Sequence, residues 1–184
     1  MVKLIAKSAT EGLLPVTIGD TTVMDVTPGE MTSVAPFRGQ QKALSTALKE
    51  NFGQALPNVG RSLGKDMARI IWFGRNQWMV LGPCAPAPLV DNAALSDQSD
   101  GWVVLRLKGA LARDGLSRLT PLDVRDSQFK LGHTARTEFQ HMMCSITRTG
   151  ARQFDIMVMR SMAKTAVHDL KSALERAAAS AALR

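Results

Sequence analysis

The sequence predicts an α+β fold of two pseudo-repeated halves. Each half reads strand, helix, strand, strand, with the helix packed on a small, mostly antiparallel sheet. Three observations predict it. The same order of elements runs through residues 31–82 and residues 97–184. Gly39 and Gly109 each open a helix. Gly74-Arg75-Asn76-Gln77-Trp78 and Gly150-Ala151-Arg152-Gln153-Phe154 share a glycine, two further residues, a glutamine and an aromatic ring. A chain of 184 residues can form one domain with a proper core. The expected organisation is therefore a single domain over 1–184, with 1–30 as an N-terminal extension and 83–96 as a linker between the halves.

Along the chain, a short strand is expected at Thr21–Val26, then the turn Thr27-Pro28-Gly29-Glu30, then a strand over Met31–Phe37. After Gly39 the apolar residues Ala43, Leu44, Ala47, Leu48 and Phe52 fall at helical spacing, and Gly53 stands in the C-cap position. A loop with Pro57 and Gly60 follows. Arg69–Phe73 and Gln77–Leu81 then read as a hairpin across Gly74-Arg75-Asn76. From Gly82 to Asp97 the chain is proline-rich and almost uncharged, which marks the linker. A strand is expected at Trp102–Leu107, then a helix from Gly109 through Leu111, Leu116 and Leu119, stopped at Thr120-Pro121. Glu138–Thr147 and Gln153–Met159 read as a second hairpin across residues 148–152. The last element is a helix with Ser161 as N-cap and Ala163, Ala166, Val167, Leu170, Ala173, Leu174 and Ala177 on one face.

Composition narrows the function classes. With 45% apolar and 21% charged residues the chain matches ordinary globular proteins, so neither disorder nor a fibre is indicated. No apolar run approaches the roughly 20 residues that cross a bilayer, and the first twelve residues lack a secretory h-region. A cytoplasmic protein without membrane partners is expected. The net charge is +7; residues 1–30 carry two basic and four acidic side chains, net −2, so the remainder carries +9. These cations are scattered, there is no tyrosine, and aromatics are only 5% of the chain, which argues against a nucleic-acid surface. A basic face docking on an acidic subunit fits as well. Cys84 and Cys144 lie in unlike settings without zinc-site spacing and read as two idle thiols.

No residue set suggests catalysis or metal binding. His133 follows Gly132 in a loop, His141 is expected mid-strand, and His168 lies on the last helix; they share no ligand spacing and have no nucleophile arranged around them. Asp97 and Asp100 could form an acid–base pair, but with Ser99 and Gly101 before a strand they suit an Asx-type turn. The glycines at 109, 132 and 150 lack phosphate-loop spacing. Met142, Met143, Met157, Met159 and Met162 can fill core gaps or line a binding surface. Trp72, Trp78 and Trp102 can pack in a core or anchor an interface.

The second half carries a more specific pattern: Asp97-Gln98-Ser99-Asp100-Gly101-Trp102, Val104-Leu105-Arg106-Leu107 with Gly109, Leu119-Thr120-Pro121-Leu122-Asp123, Gly132, Ala135-Arg136-Thr137, His141-Met142 and Arg160-Ser161. Together with Thr32-Ser33-Val34, Phe37-Arg38-Gly39 and the Trp78–Gly82 strand in the first half, it resembles the gamma subunit of heterotetrameric sarcosine oxidase. Ala110 stands where proline would be expected at the first turn of that helix. More distantly, Asp97 and Ser99, Gly109, Ala112, Leu119 and Asp123-Val124 resemble the folate-binding aminomethyltransferase family. That family's paired aspartates are absent from the segment Arg136-Thr137-Glu138-Phe139-Gln140-His141-Met142-Met143.

The resemblance implies an aminomethyltransferase-like fold and an accessory, non-catalytic subunit. The complex would demethylate sarcosine oxidatively to glycine, with hydrogen peroxide and with formaldehyde or methylenetetrahydrofolate. It implies alpha, beta and delta subunits as partners, with FAD, FMN, NAD and tetrahydrofolate on those chains, zinc on the smallest, and no cofactor here. Asp97, Gln98, Ser99, Gly101, Trp102, Gly109, Pro121, Asp123, Arg136, Thr137, His141, Arg160 and Ser161 then carry structure or an interface. The alternative is a stand-alone folate-binding one-carbon protein of the same fold, and a basic nucleic-acid binder is the third reading.

Overall fold

The computed structural model describes residue 5, residues 7–83 and residues 87–183. Among the described residues eleven strands form two antiparallel sheets accompanied by three α-helices, as the α+β expectation has it. The strands are β1 (Val16–Ile18), β2 (Thr21–Val26), β3 (Met31–Pro36), β4 (Ser62–Lys65), β5 (Ala68–Gly74), β6 (Gln77–Leu81), β7 (Ala93–Asp97), β8 (Trp102–Lys108), β9 (Thr134–Phe139), β10 (Met142–Gly150) and β11 (Gln153–Met159). The helices are α1 (Gln41–Phe52), α2 (Ala112–Leu116) and α3 (Ala163–Ala182). No helix among the described residues is long and apolar enough to cross a membrane.

The six-stranded sheet runs β1-β2-β8-β11-β10-β9 and the five-stranded sheet runs β4-β5-β6-β3-β7. Strand alternation sends successive side chains to opposite faces, and this sorts the apolar residues into three layers. Leu44 and Leu48 of α1 pack on Val34, Ile70, Trp78 and Val80. Val103, Leu105 and Leu107 of β8 face α2 and α3, whose Leu116, Leu170 and Leu174 are fully buried. Between the sheets lie Met31, Ile71, Phe73, Met79 and Leu81 from one and Val104 and Met157 from the other. The order is helix, sheet, sheet, helix.

The two hairpins are built alike. β5 and β6 shift register between Trp72 and Gly74, and β10 and β11 shift between Arg148 and Gly150. Each bulge sits before the matching Gly-x-x-Gln-aromatic segment. Strand order is also parallel, β4-β5-β6-β3 against β9-β10-β11-β8. The outer neighbour of the last strand is exchanged, however. β2, which precedes β3 in the chain, pairs with β8, and β7, which precedes β8, pairs with β3. The six-stranded sheet therefore takes in β1 and β2 from before the first half, and the five-stranded sheet takes in β7 from before β8.

That exchange corrects the expected boundaries. Residues 1–30 were expected as an extension, yet β1 and β2 are integral to the six-stranded sheet, and the expected linker 83–96 contributes most of β7. β7 was hidden because Ala93–Asp97 follows a proline-rich stretch and carries no β-branched or aromatic residue to signal a strand. The expected strand Glu138–Thr147 is two strands, with Gln140 and His141 in the turn; Gln140 takes φ 54 without the glycine or asparagine that signals such a turn. His141 is thus exposed in a turn, not mid-strand. The helix expected over 109–119 contracts to α2. Ser161 is not an N-cap: a 3-10 turn over Arg160–Met162 precedes α3, and Met162 occupies the cap position without a side-chain bond. Gly53 does cap α1, with φ 70 and its N–H on the Lys49 carbonyl at 3.0 Å.

Candidate functional site

The exchange of strands requires the chain to cross between sheets twice, at residues 27–30 and 98–101, and the most distinctive segment of the sequence is the second crossing. The two crossings are tied to each other. The Gln98 N–H donates to the Met31 carbonyl at 2.7 Å, and the Met31 N–H donates to Ser99 Oγ at 3.0 Å. Asp97 accepts from the Ser99 N–H at 2.9 Å and the Ser99 hydroxyl at 2.6 Å, an Asx turn in which Ser99 holds the exposed carboxyl below its ordinary range. The acid–base pairing considered for Asp97 and Asp100 is thereby replaced by turn chemistry at Asp97. Gly101 closes the turn onto the Gln98 carbonyl at 3.0 Å, and its own carbonyl accepts from the Arg160 N–H at 2.9 Å.

Trp102 leaves this turn half-buried, its indole N–H on Gln98 Oε1 at 3.2 Å and its ring edge-on to Phe73 with centroids 5.1 Å apart. The Arg136 guanidinium of β9 lies 4.3 Å from the Phe73 centroid and 5.1 Å from that of Trp102. Burial lowers its pKa, and its Nη1 has no hydrogen-bond partner among the described residues. Phe73 belongs to the five-stranded sheet, Trp102 and Arg136 to the six-stranded one, so this cation–π contact fastens the two layers. Six of the residues singled out from the sequence (Gln98, Ser99, Gly101, Trp102, Arg136 and Arg160) meet at this corner, with Asp97 at its edge.

The others lie elsewhere. Gly109 packs against the β1–β2 turn. Its neighbours' N–H groups are capped from that turn: Ala110 by the Asp20 carboxylate at 3.2 Å and Leu111 by Thr21 Oγ1 at 2.9 Å. Thr137 lies 3.5 Å from Thr120 beside Pro121. Ser161 and His141 are exposed. His133 packs edge-on to Phe129 at 5.7 Å, and burial, then the cations Arg61, Lys130 and Arg148, lower its pKa. Among the described residues no group of three His, Cys, Asp or Glu side chains could hold a metal ion. Cys144 is a free thiol pushed up to about 12 by burial, while Cys84 lies outside the described residues.

Asp123 accepts from the Arg125 backbone N–H at 3.0 Å and from its guanidinium Nε at 2.9 Å, which holds the carboxyl at about 2. A folded-state value below the unfolded one stabilises the turn at pH above about 4 and loses that effect as pH falls through about 2. Carbon-detected NMR titration should place the Asp123 midpoint near that value, and Arg125→Ala should return it to the ordinary carboxylate range. A midpoint unchanged by the substitution would remove Arg125 as the cause.

Sequence reasoning missed the buried charges between the sheets. Arg106 binds Asp155 in bidentate fashion, Nε to Oδ1 at 2.7 Å and Nη2 to Oδ2 at 2.8 Å, with Asp155 5% exposed. Arg69 is 8% exposed beside them and donates to Ser62 Oγ at 3.2 Å. The available signal was a lone aspartate in the apolar run Phe154–Met159. The segment Arg136–Met143, which runs from β9 through the turn into β10, carries Glu138 as its one carboxylate, without the paired aspartates of the aminomethyltransferase family.

Comparisons with known proteins agree with this geometry. The model of the sarcosine oxidase gamma subunit family matches residues 38–175. A chain of the heterotetrameric sarcosine oxidase from Corynebacterium sp. U-96, solved with pyrrole 2-carboxylate, superposes with a TM-score of 0.80 at 22% identity, covering 94% of this chain and 96% of that one. The glycine cleavage system aminomethyltransferase T from Bartonella henselae superposes with a TM-score of 0.56 at 15% identity, over 82% of this chain and 45% of that one. No curated protein sequence gives a significant match. The fold is shared with both structures.

Proposed function

The chain belongs to the sarcosine oxidase gamma subunit family, and from that premise we propose that it is the accessory, non-catalytic subunit of a heterotetrameric sarcosine oxidase. Alpha, beta and delta subunits are its partners in the cytoplasm, and FAD, FMN, NAD and tetrahydrofolate reside on them. The assembly oxidises sarcosine with dioxygen and water to glycine, hydrogen peroxide and formaldehyde, the formaldehyde passing to methylenetetrahydrofolate when folate is bound. This chain serves as one domain of two pseudo-repeated halves, completed by β1, β2 and β7, that stabilises the complex. The family match over residues 38–175 carries this reading. The use of the signature corner supports it, since Asp97, Gln98, Ser99 and Gly101 spend their polar groups on joining two sheets.

Co-expression with the large flavoprotein chains tests it. The chain should co-purify in equimolar ratio, and alone it should neither turn over sarcosine nor shift its melting temperature with millimolar tetrahydrofolate. A chain that stays free at micromolar concentration, or one that demethylates sarcosine unaided, overturns the proposal.

A further inference from the structure

A groove of about 700 Å³ opens between the N-terminal end of α1, the loop before β4 and the β5–β6 hairpin. Its floor holds Trp72, half-buried, and Trp78, which is 3% exposed and donates its indole N–H to the Pro57 carbonyl at 2.9 Å. Its charged lining is Lys42 and Arg75, with no carboxylate. Through Leu56, Pro57 and Asn58 it continues into a second hollow of about 390 Å³ that adds Arg61 and again no carboxylate. Among the described residues none of these three cations is in an ion pair.

Two features have no explanation within the isolated chain. Lys42 stands in the first turn of α1, a helix with no acidic residue there and no side-chain cap. A cation at the positive end of the helix dipole is unfavourable unless an anion arrives from outside. Val59 is 74% exposed, at the crest of the turn Asn58–Arg61, where Gly60 supplies the positive φ of 69 and the Arg61 N–H closes on the Asn58 carbonyl at 3.0 Å. That turn is held rigid by Trp78 on one side and by the Thr134 N–H on the Gly60 carbonyl on the other. Turn geometry asks nothing apolar of Val59. Leu63 and Leu131, 39% and 66% exposed, extend the apolar strip past it.

We infer that this strip is the face on which a larger subunit of the complex docks, presenting an acidic segment with an apolar side chain that packs over Trp72 and Val59. The inference rests on the accessory-subunit reading. A half-exposed tryptophan, Trp72, seated on the buried Trp78 inside a cationic rim is the pattern of an interface centre, and a cationic rim without carboxylates selects an acidic partner and hastens its capture.

The test is assembly with the co-expressed large flavoprotein chains, titrated at two ionic strengths. Lys42→Glu/Arg75→Glu and, separately, Val59→Asp should weaken incorporation at least about tenfold, and the charge variant should lose the salt dependence. Lys164→Glu/Lys171→Glu, on the exposed side of α3, should assemble like the unsubstituted chain. Equal melting temperatures for all variants confirm that folding is intact. Groove variants that assemble with undiminished affinity, when the unsubstituted chain assembles, overturn the docking face alone. An unsubstituted chain that does not assemble overturns the subunit reading, and this inference with it.

Discussion

Asp155→Ala is expected to destabilise the fold by about 3–5 kcal/mol, the range for breaking a buried ion pair by deleting one partner. Asp155 points into the layer between the sheets, where Met79, Val104 and Met157 exclude water. It accepts both arms of Arg106, whose pKa it raises through those hydrogen bonds, and its charge also favours the buried guanidinium of Arg69. Removing it leaves Arg106 without its carboxylate and the buried Arg69 with only the Ser62 hydroxyl at 3.2 Å and the Asp66 carbonyl at 3.5 Å. Urea unfolding should show a lower midpoint with an unchanged slope. The double substitution Arg106→Met/Asp155→Leu should recover most of the loss, because it removes the desolvated charges together. A loss under about 1 kcal/mol for Asp155→Ala would mean that the pair behaves as a surface bridge, and the inter-sheet layer would have to be wet.

The reason that this pair was not legible in the sequence also explains what was. Elements whose partners lie close in the chain announced themselves. The β5–β6 and β10–β11 hairpins have turn glycines between apolar runs, and α1 and α3 have helical apolar spacing, so each could be read from its own residues. Elements defined by a distant partner could not. β7 pairs with the distant β3, and the exchange of β2 and β7 between sheets leaves no local trace. β1 and β4 do pair with the next strand in the chain, but at three and four residues they are too short to show a strand pattern of their own. Arg106 is the same case on a smaller scale: within β8 it reads as an outward-facing polar residue, and only the register Asp155↔Arg106 makes it the partner of a buried carboxylate. At the candidate site, the Asp97–Gly101 turn was readable from its own Asx chemistry. The stacking of Arg136 on Phe73 was not, because it joins residues from different sheets.

Gly109→Ala should destabilise the protein by about 3 kcal/mol, through two independent penalties. Its φ of +146 lies where side chains other than glycine are strained, at about 1–3 kcal/mol. A Cβ there would also strike the Asp20 carbonyl oxygen at 2.5 Å and the Cα and hydroxyl of Thr21 more closely still, all on a turn with no room to yield because Thr21 is fully buried. Overpacking of this kind adds about 1–3 kcal/mol. Relief requires the β1–β2 hairpin to move away from β8, which also withdraws the Asp20 and Thr21 caps from Ala110 and Leu111. Hydrogen exchange should therefore show amides of Thr21–Val26 losing protection before those of β10 and β11. Thr21→Ala separates the causes, since it deletes the cap on Leu111 without touching the backbone approach, and it should cost only about 1 kcal/mol. If Gly109→Ala were as mild as Thr21→Ala, the close approach of the two strands would not be what seats β2 in the opposite half's sheet. In the structure that approach joins Gly109, at the end of the second half's own strand, to a turn from the chain's first thirty residues. The substitution thus probes whether the exchanged strand is a permanent part of the six-stranded sheet.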